Sequence, residues 1–323
     1  MPVLDVQNLR TYYYTLRGPV KAVEDISFQV EKGEALGLAG ESGCGKTTAA
    51  LSILKILPKG GKIIGGKILF NGQDIAKFNE NDMRKKIRWK GMSIVFQGAM
   101  NALNPVYKVG DQISETILVH EPKTSKKETK ERTEKLLEFV GIDQSRADNY
   151  PHEFSGGMRQ RALIAMAVAC NPDLLIADEP GTALDVIVQA QVLKMMKEMK
   201  SKLNLGMILI THDLSIIAET CENCAIMYAG KIVENGDVLR IFKEPLHPYT
   251  QGLIKAFPSI KSAKTEMTSI SGFPPDLLKP PPGCRFHPRC PYAMDVCKKE
   301  DPKTIEAAKE YYVACHLVEQ QMK

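Results

Sequence analysis

Eight residues, Gly40-Glu41-Ser42-Gly43-Cys44-Gly45-Lys46-Thr47, constrain this chain more than any other stretch. They fit G-x-x-x-x-G-K-[ST], follow the apolar run Leu36–Ala39 and precede a helical run from Thr47 to Ile56. Strand, glycine-rich loop and helix in that order are the context in which the pattern carries meaning. Glycines let successive backbone N–H groups wrap phosphate oxygens, and the helix N-terminus adds the positive end of its dipole. Lys46 is expected to reach the β- and γ-phosphates and the Thr47 hydroxyl to coordinate Mg²⁺. Gly40, Ser42, Gly43, Cys44, Gly45 and Thr48 complete the expected phosphate-binding set.

A second element matches it. Leu174-Leu175-Ile176-Ala177 is short and apolar, as buried strands are, and ends in Asp178 and Glu179. Asp178 at the strand end can hold the Mg²⁺ shell. Glu179 is then placed to polarise an attacking water, since phosphoryl transfer depends mainly on positioning and charge stabilisation. The plainer alternative is an acidic pair that only caps the next helix.

Composition bounds the answer without choosing it. The 323 residues exceed one average domain, and 44% hydrophobic with 25% charged residues are ordinary globular values. Lys and Arg number 43 against 38 Asp and Glu, a net +5 that permits a nucleotide or an anionic surface and does not call for nucleic acid. The basic residues Lys123, Lys126, Lys127, Lys130 and Arg132 alternate with Glu128, Glu131 and Glu134, which reads as a solvated helix face. Met1–Val6 has neither a basic n-region nor an apolar h-region, so no signal peptide is expected. Apolar runs such as Leu163–Cys170 fall far short of the ~20 residues that span a bilayer. The expectation is a soluble, intracellular protein that meets a membrane only through partners.

Residues 1 to about 95 read as strand-rich, as at Ala35–Ala39 and Met92–Phe96. Helical periodicity follows to about 160, for example Thr133–Val140 with Gly141 placed as a C-cap. Strand signals return at Leu174–Ala177, Gly206–Ile210 and Ala225–Tyr228, implying an α/β core interrupted by a helical insertion. After about residue 235, Pro245, Pro248, Pro258, Pro274, Pro275, Pro280, Pro281 and Pro282 argue against a regular helix or a central strand. That stretch is expected to be an extension held by local contacts and by cysteines. Four of the eight cysteines, Cys284, Cys290, Cys297 and Cys315, fall in the last 40 residues. In a reducing cytosol such a cluster reads as a metal site rather than as disulfides. Thiolates suit zinc or an iron–sulfur cluster, and the spacing C-x5-C-x6-C-x17-C lacks the short pairs usual for zinc. Free structural thiols are the third reading. Cys221 and Cys224, with no second ligand pair, read as buried packing.

Many nucleotide hydrolases share the first two elements. The choice narrows at Phe154-Ser155-Gly156-Gly157-Met158-Arg159-Gln160-Arg161, upstream of Asp178-Glu179, which closely resembles the signature motif of ABC ATPases. Gln97, in Val95-Phe96-Gln97, resembles the family's Q-loop. Ala183-Leu184-Asp185 resembles its D-loop, and His212, in Ile210-Thr211-His212-Asp213, its switch histidine. The resemblance covers residues 1 to about 250. It implies a P-loop ABC-type ATPase core over 1–240, with an antiparallel β subdomain and a helical subdomain at about 98–160. It implies that Ser155, Gly156 and Gly157 close over the γ-phosphate of an ATP bound by a second subunit, and it places Asp185 among the nucleotide-binding residues. It further implies that His212 contacts the γ-phosphate in cis and that Gln97 senses Mg²⁺ and water. An early aromatic residue stacks on adenine in the family; among Tyr12, Tyr13 and Tyr14, Tyr13 aligns best by its distance from Val23–Ser27. One departure is Gly181, where the family usually has Thr or Ser.

Between Gln97 and Ser155 lie 57 residues, suited to a transporter's helical subdomain and far too short for coiled-coil arms. A single set of motifs and no fused membrane span favour an importer. Pro245-Leu246-His247-Pro248-Tyr249-Thr250 and Pro281–Pro291 resemble the segments that mark dipeptide/oligopeptide importer ATPases. That resemblance implies an extension over 241–323, a 4Fe-4S cluster on the four late cysteines with zinc as the alternative, and peptides or oligosaccharides as cargo. The partners it implies are a related ATPase subunit or a second copy, two membrane permease subunits docking on the helical insertion, and indirectly an extracytoplasmic solute-binding protein. The chain would then sit at the cytoplasmic face of the membrane. Two other classes stay open at this point: a soluble ABC ATPase acting on nucleic acid or ribosomes, and a redox-regulated module whose assembly ATP controls.

Overall fold

The computed structural model describes residues 1–98, 102–256 and 270–322; Pro258 and residues 99–101 of the helical insertion lie outside them. The chain divides into two compact units. One comprises Pro2–Gln29, Ala35–Ala76 and the residues from Ile210 onward; the other comprises Met1, Val30–Glu34 and Lys77–Leu209.

The first unit carries the phosphate loop. Strands β1 (Leu4–Thr15), β2 (Gly18–Val30), β4 (Gly61–Phe70) and β5 (Gln73–Asp74) form a sheet in the order β2-β1-β4-β5. Alternation buries Leu4 and Val6, then Leu9 and Thr11. The phase slips between these pairs because Asn8 takes φ 50° and the register with β4 shifts between Gln7 and Arg10. A second run pairs β3 (Ala35–Ala39), β9 (Asn223–Tyr228), β10 (Lys231–Asp237), β12 (Tyr311–Ala314) and β11 (Thr304–Ala308), in the order β11-β12-β10-β9-β3. All five residues of β3 are buried, and β3 lies parallel to β9 with Leu36 opposite Asn223 and Ala39 opposite Ile226. A parallel pair covered on both faces requires such an unbroken apolar run. Helices α1 (Lys46–Ile53), α7 (Leu214–Thr220), α8 (Val238–Lys243), α9 (Pro248–Lys255) and α10 (His316–Gln321) complete this unit.

The proline-rich stretch is more regular than its composition suggests. Pro248 opens α9 at its first turn, where no backbone N–H is needed, and the His247 side chain caps it by accepting from the Tyr249 N–H at 3.0 Å. Far downstream, β12 pairs antiparallel with β10, Glu234 opposite Val313, and with β11 on its other side. The expectation of neither helix nor inner strand fails here because the prolines fall at element starts and in connections, leaving the ladders' N–H groups intact.

The second unit holds β6 (Met92–Val95), β7 (Leu174–Asp178) and β8 (Gly206–Thr211), neighbours in the order β8-β7-β6; the last two residues of β8 belong to the other unit. β6 and β7 are parallel, with Val95 opposite Ala177. The short α2 (Glu80–Asp82) and the longer α3 (Val109–His120), α4 (Lys126–Phe139), α5 (Gly156–Ala167) and α6 (Val186–Leu203) pack in this unit. Ser125 caps α4 by accepting from the Glu128 N–H at 3.2 Å, and Gly141 at φ 74° ends it where the sequence places a C-cap. Lys123, Lys126, Lys127 and Lys130 are exposed, as a solvated face requires. Arg132 is the exception: its guanidinium pairs with Glu121 at 3.1 Å and donates to the Ala169 carbonyl at 2.8 Å.

Candidate nucleotide site

In the phosphate-loop unit, β3 ends at Ala39 and α1 begins at Lys46, so Gly40–Gly45 must turn the chain in six residues. Glycine is obligatory at two of them. A Cβ on Gly40 (φ 147°) would stand 2.1 Å from the Met227 carbonyl oxygen, and one on Gly45 (φ 108°) 2.2 Å from that of Ala22. Gly43, at φ 77°, instead faces open space, with nothing within 4 Å of a Cβ placed there. The result is a backbone cradle that suits a polyphosphate. The Lys46 ammonium donates to the carbonyls of Gly40 at 2.7 Å and Glu41 at 3.1 Å, which holds it over its own loop. Cys44 is buried, and that burial pushes its thiol above the ordinary value, so it stays protonated beside Lys46. Ser42 and Thr47 are exposed and Thr48 is half-buried. Helix α1 stops at Ile53, short of Ile56, because Lys55 takes φ 53°.

Tyr13 lies on β1 opposite Gly61, whose missing side chain leaves room for the ring. The Tyr12 hydroxyl donates to Glu24 at 2.7 Å, and the Tyr14 ring lies under the Lys62 ammonium at 5.6 Å. His212 is exposed directly after β8, at a turn closed by the Asp213 N–H donating to Thr211 Oγ1 at 3.0 Å.

In the helical unit, Asp178 ends β7 and is 1% exposed, while Gln97 follows β6 by two residues. Because these strands are parallel and in register, both side chains leave the same carboxyl end, the edge at which α/β sheets bind ligands. Glu179 takes φ 47°, and its Oε2 accepts from Gln97 Nε2 at 2.8 Å and from Thr182 Oγ1 at 2.9 Å. The structure thus joins two of the expected catalytic residues. It adds Thr182, which the sequence reading missed; the signal was the Glu-Pro-Gly-Thr turn, closed by the Thr182 N–H donating to the Glu179 carbonyl at 3.1 Å. Ser155 caps α5 by accepting from the Met158 N–H at 3.3 Å, which sets Gly156 and Gly157 in its first turn. A Cβ on Gly157 would meet Val188 of α6 at 2.4 Å. Asp185 caps α6 by accepting from the Val188 N–H at 2.9 Å. At Gly181, the space of a Cβ is taken by the Gln189 side chain, 2.5 Å away, which gives the departure from Thr or Ser a local counterpart.

The four late cysteines form one neighbourhood. The Cys284 N–H donates to the Cys297 carbonyl at 2.9 Å. Burial, with smaller contributions from Cys297, Cys315 and Cys290, pushes the Cys284 thiol up to about 12. Among the described residues, however, no group of three or more His, Cys, Asp or Glu side chains forms a ready metal-ion site. Cys221 and Cys224 are buried in packing, as expected. No helix among the described residues is long and apolar enough to cross a membrane.

Residues 23–182 match the ABC transporter family model, and residues 233–297 match the model for the oligopeptide/dipeptide transporter C-terminal region. The oligopeptide transport ATP-binding protein AppD of Bacillus subtilis is 45% identical over 99% of this chain and 98% of its own length. The dipeptide transport ATP-binding protein DppD of Escherichia coli is 43% identical over 98% and 97%. Among solved structures, cbiO1 of Clostridium perfringens, part of the transporter complex cbiONQ, superposes with a TM-score of 0.66 at 28% identity, covering 75% of this chain and 91% of that one. The dimeric ATP-binding cassette MJ0796, bound to ADP and Pi, shares the fold with a TM-score of 0.65 at 22% identity, over 73% of this chain and 98% of its own. With a phosphate cradle, an acidic strand end bonded to a glutamine and full-length relatives of this kind, the chain belongs to the ATP-hydrolysing, ATP-binding subunits of ABC transporters, in their dipeptide/oligopeptide branch.

Proposed function

We propose that this chain is the motor of a peptide importer, bound at the cytoplasmic face of a membrane through two permease subunits. The observation that carries this reading is the full-length identity with peptide-transport ATP-binding proteins, C-terminal region included. It favours peptides over oligosaccharides as cargo. Residues 1–240 form the ATPase module in this reading, with residues 98–160 as the docking surface for the permeases, and 241–323 form the importer-type extension.

ATP is held by Gly40, Ser42, Gly43, Cys44, Gly45, Lys46, Thr47 and Thr48, with Tyr13 stacked on adenine. Thr47, Asp178 and Gln97 offer the hard oxygen donors that Mg²⁺ takes, and the ion, when bound, neutralises phosphate charge. Glu179 orients and polarises the attacking water, with Gln97 and Thr182 steering its carboxylate, and His212 contacts the γ-phosphate. Ser155, Gly156, Gly157 and Asp185 act on the ATP of a partner subunit, a second copy or a related sibling. Nucleotide binding then joins the subunits and hydrolysis parts them. The family resemblance, and not the arrangement of these side chains, carries the remaining reading that Cys284, Cys290, Cys297 and Cys315 would hold a 4Fe-4S cluster as a staple of the extension, with zinc as the alternative.

The test is Glu179→Gln with ATP and Mg²⁺. Hydrolysis should fall by about 10²–10⁴-fold, the range for losing a general base, while light scattering shows a persistent ATP-dependent dimer. Unchanged turnover would remove Glu179 from its role. Stimulation of the intact transporter's ATPase by oligopeptides, and not by oligosaccharides, tests the cargo. For the cysteines, anaerobically purified protein should show a broad brown absorption and iron that Cys290→Ser removes; one zinc per chain would favour the alternative.

A further inference from the structure

The established motifs leave Glu41 unused, although it is the second residue of the phosphate loop. Its carboxylate adds a negative charge to a loop read as binding a polyphosphate, yet it is not left to solvent. The Arg289 guanidinium, 5% exposed, grips it from two directions, with Nη1 to Oε2 at 2.6 Å and Nη2 to Oε1 at 3.0 Å. A two-point guanidinium–carboxylate pair fixes orientation as well as charge. The Glu41 backbone is anchored from the same side, its N–H donating to the hydroxyl of the fully buried Tyr249 at 3.0 Å. On its other face, the Glu41 carbonyl accepts from Lys46 at 3.1 Å. Arg289 is itself held, donating to the backbone carbonyls of Ser271 at 2.9 Å and Ile270 at 3.3 Å, with its guanidinium 5.7 Å from the Tyr228 ring centre. Tyr228, Tyr249 and Phe286 pack as one aromatic group beneath it, with ring centres 4.6 to 5.4 Å apart.

We infer that Arg289 is a positioning residue for ATP: it neutralises and pins Glu41, so that the loop presents its N–H groups and Lys46 to the phosphates without a competing negative charge. Nucleotide affinity is thereby tied to the C-terminal segment that also carries Cys284 and Cys290. The inference rests on reading Gly40–Thr47 as the phosphate loop.

The test measures the affinity of the full-length protein for a fluorescent ATP analogue, with melting temperature as the check on folding. Arg289→Gln frees the carboxylate and should weaken binding by about tenfold, within the usual range of couplings between sites. Adding Glu41→Gln to Arg289→Gln removes the charge that Arg289 masks and should restore most of the affinity; a purely structural role gives no such rescue. Should Arg289→Gln not fold, Arg289→Met keeps the aliphatic stem without the charge and carries the same test, again with Glu41→Gln as the suppressor. Wild-type affinity in the Arg289 variants, or equal weakness in single and double variants, overturns the inference. Lys46→Ala is the separate control: if it binds nucleotide as well as the wild type, the phosphate-loop reading fails instead.

Discussion

The phosphate loop and the C-terminal segment that grips it are built on opposite physical plans. Gly40–Thr47 is shaped by backbone, with Gly40 and Gly45 where a Cβ would strike the carbonyls of Met227 and Ala22 and a lysine folded onto the loop's own carbonyls five and six residues back. The segment from His247 to Cys315 is shaped by side chains reaching far back along the chain. Arg289 meets Glu41 across 248 positions, Arg285 meets Glu24 across 261, and Tyr311 meets Glu234 across 77. The first plan is compact in sequence and leaves no room for a Cβ at Gly40 or Gly45. The second tolerates varied spacing but depends on buried charges remaining paired. A loop that must conform to phosphates is rigid through local geometry; a clasp that must find it is rigid through satisfied polar contacts.

The largest break of the local plan is Gly40→Ala. With a Cβ 2.1 Å from a backbone oxygen and φ 147°, nothing flexible can yield, so a loss of about 4 kcal/mol or more is expected, with no nucleotide binding left. Denaturant unfolding and ATP-analogue titration read both.

The long-range plan breaks next, at Glu234→Ala. The Glu234 carboxylate accepts from the N–H groups of Leu246 at 2.8 Å and His247 at 3.0 Å and from the Tyr311 hydroxyl. Removing it strands these donors in a buried site, at a cost of about 3 kcal/mol in the same unfolding assay, with the phosphate loop's own contacts intact.

A smaller effect sharpens the comparison through pH. Burial lowers His247 to about 3 from 6.5, so the folded protein keeps it neutral while the unfolded chain takes up a proton below pH 6.5. Stability from this group is therefore complete above pH 6.5 and lost as pH falls toward 3, at about 1.4 kcal/mol per pH unit. Between pH 6.5 and 5 that amounts to about 2 kcal/mol. His247→Asn, which can still cap α9, should flatten the slope; an unchanged slope would assign it to other groups.

The smallest effect is expected at Gly181→Thr, where only the flexible Gln189 side chain must move. Stability should change by under about 1 kcal/mol and ATPase rate hardly at all.

Much of the site was legible because its residues are grouped. Lys46, Asp178 and Ser155 each sit in a motif whose members are neighbours in sequence, so local strand, turn and helix rules suffice to place them. Glu179 and Gln97 were readable one by one; their bond was not, since it depends on β6 and β7 pairing with Val95 opposite Ala177. Proline content concealed α9 and the β10–β12 pairing, since composition does not reveal that Pro248 falls at a helix start.

From the sequence alone follow the nucleotide chemistry, the motif order and the family, because all three are carried by short stretches whose backbone geometry is decided by neighbouring residues. The tertiary structure alone decided which distant side chain neutralises Glu41, that Gln97 bonds Glu179 and how the last strands join the sheet. Those choices lie in the packing of segments up to 248 positions apart, where the partner is selected by burial and charge and leaves no periodic trace in the chain.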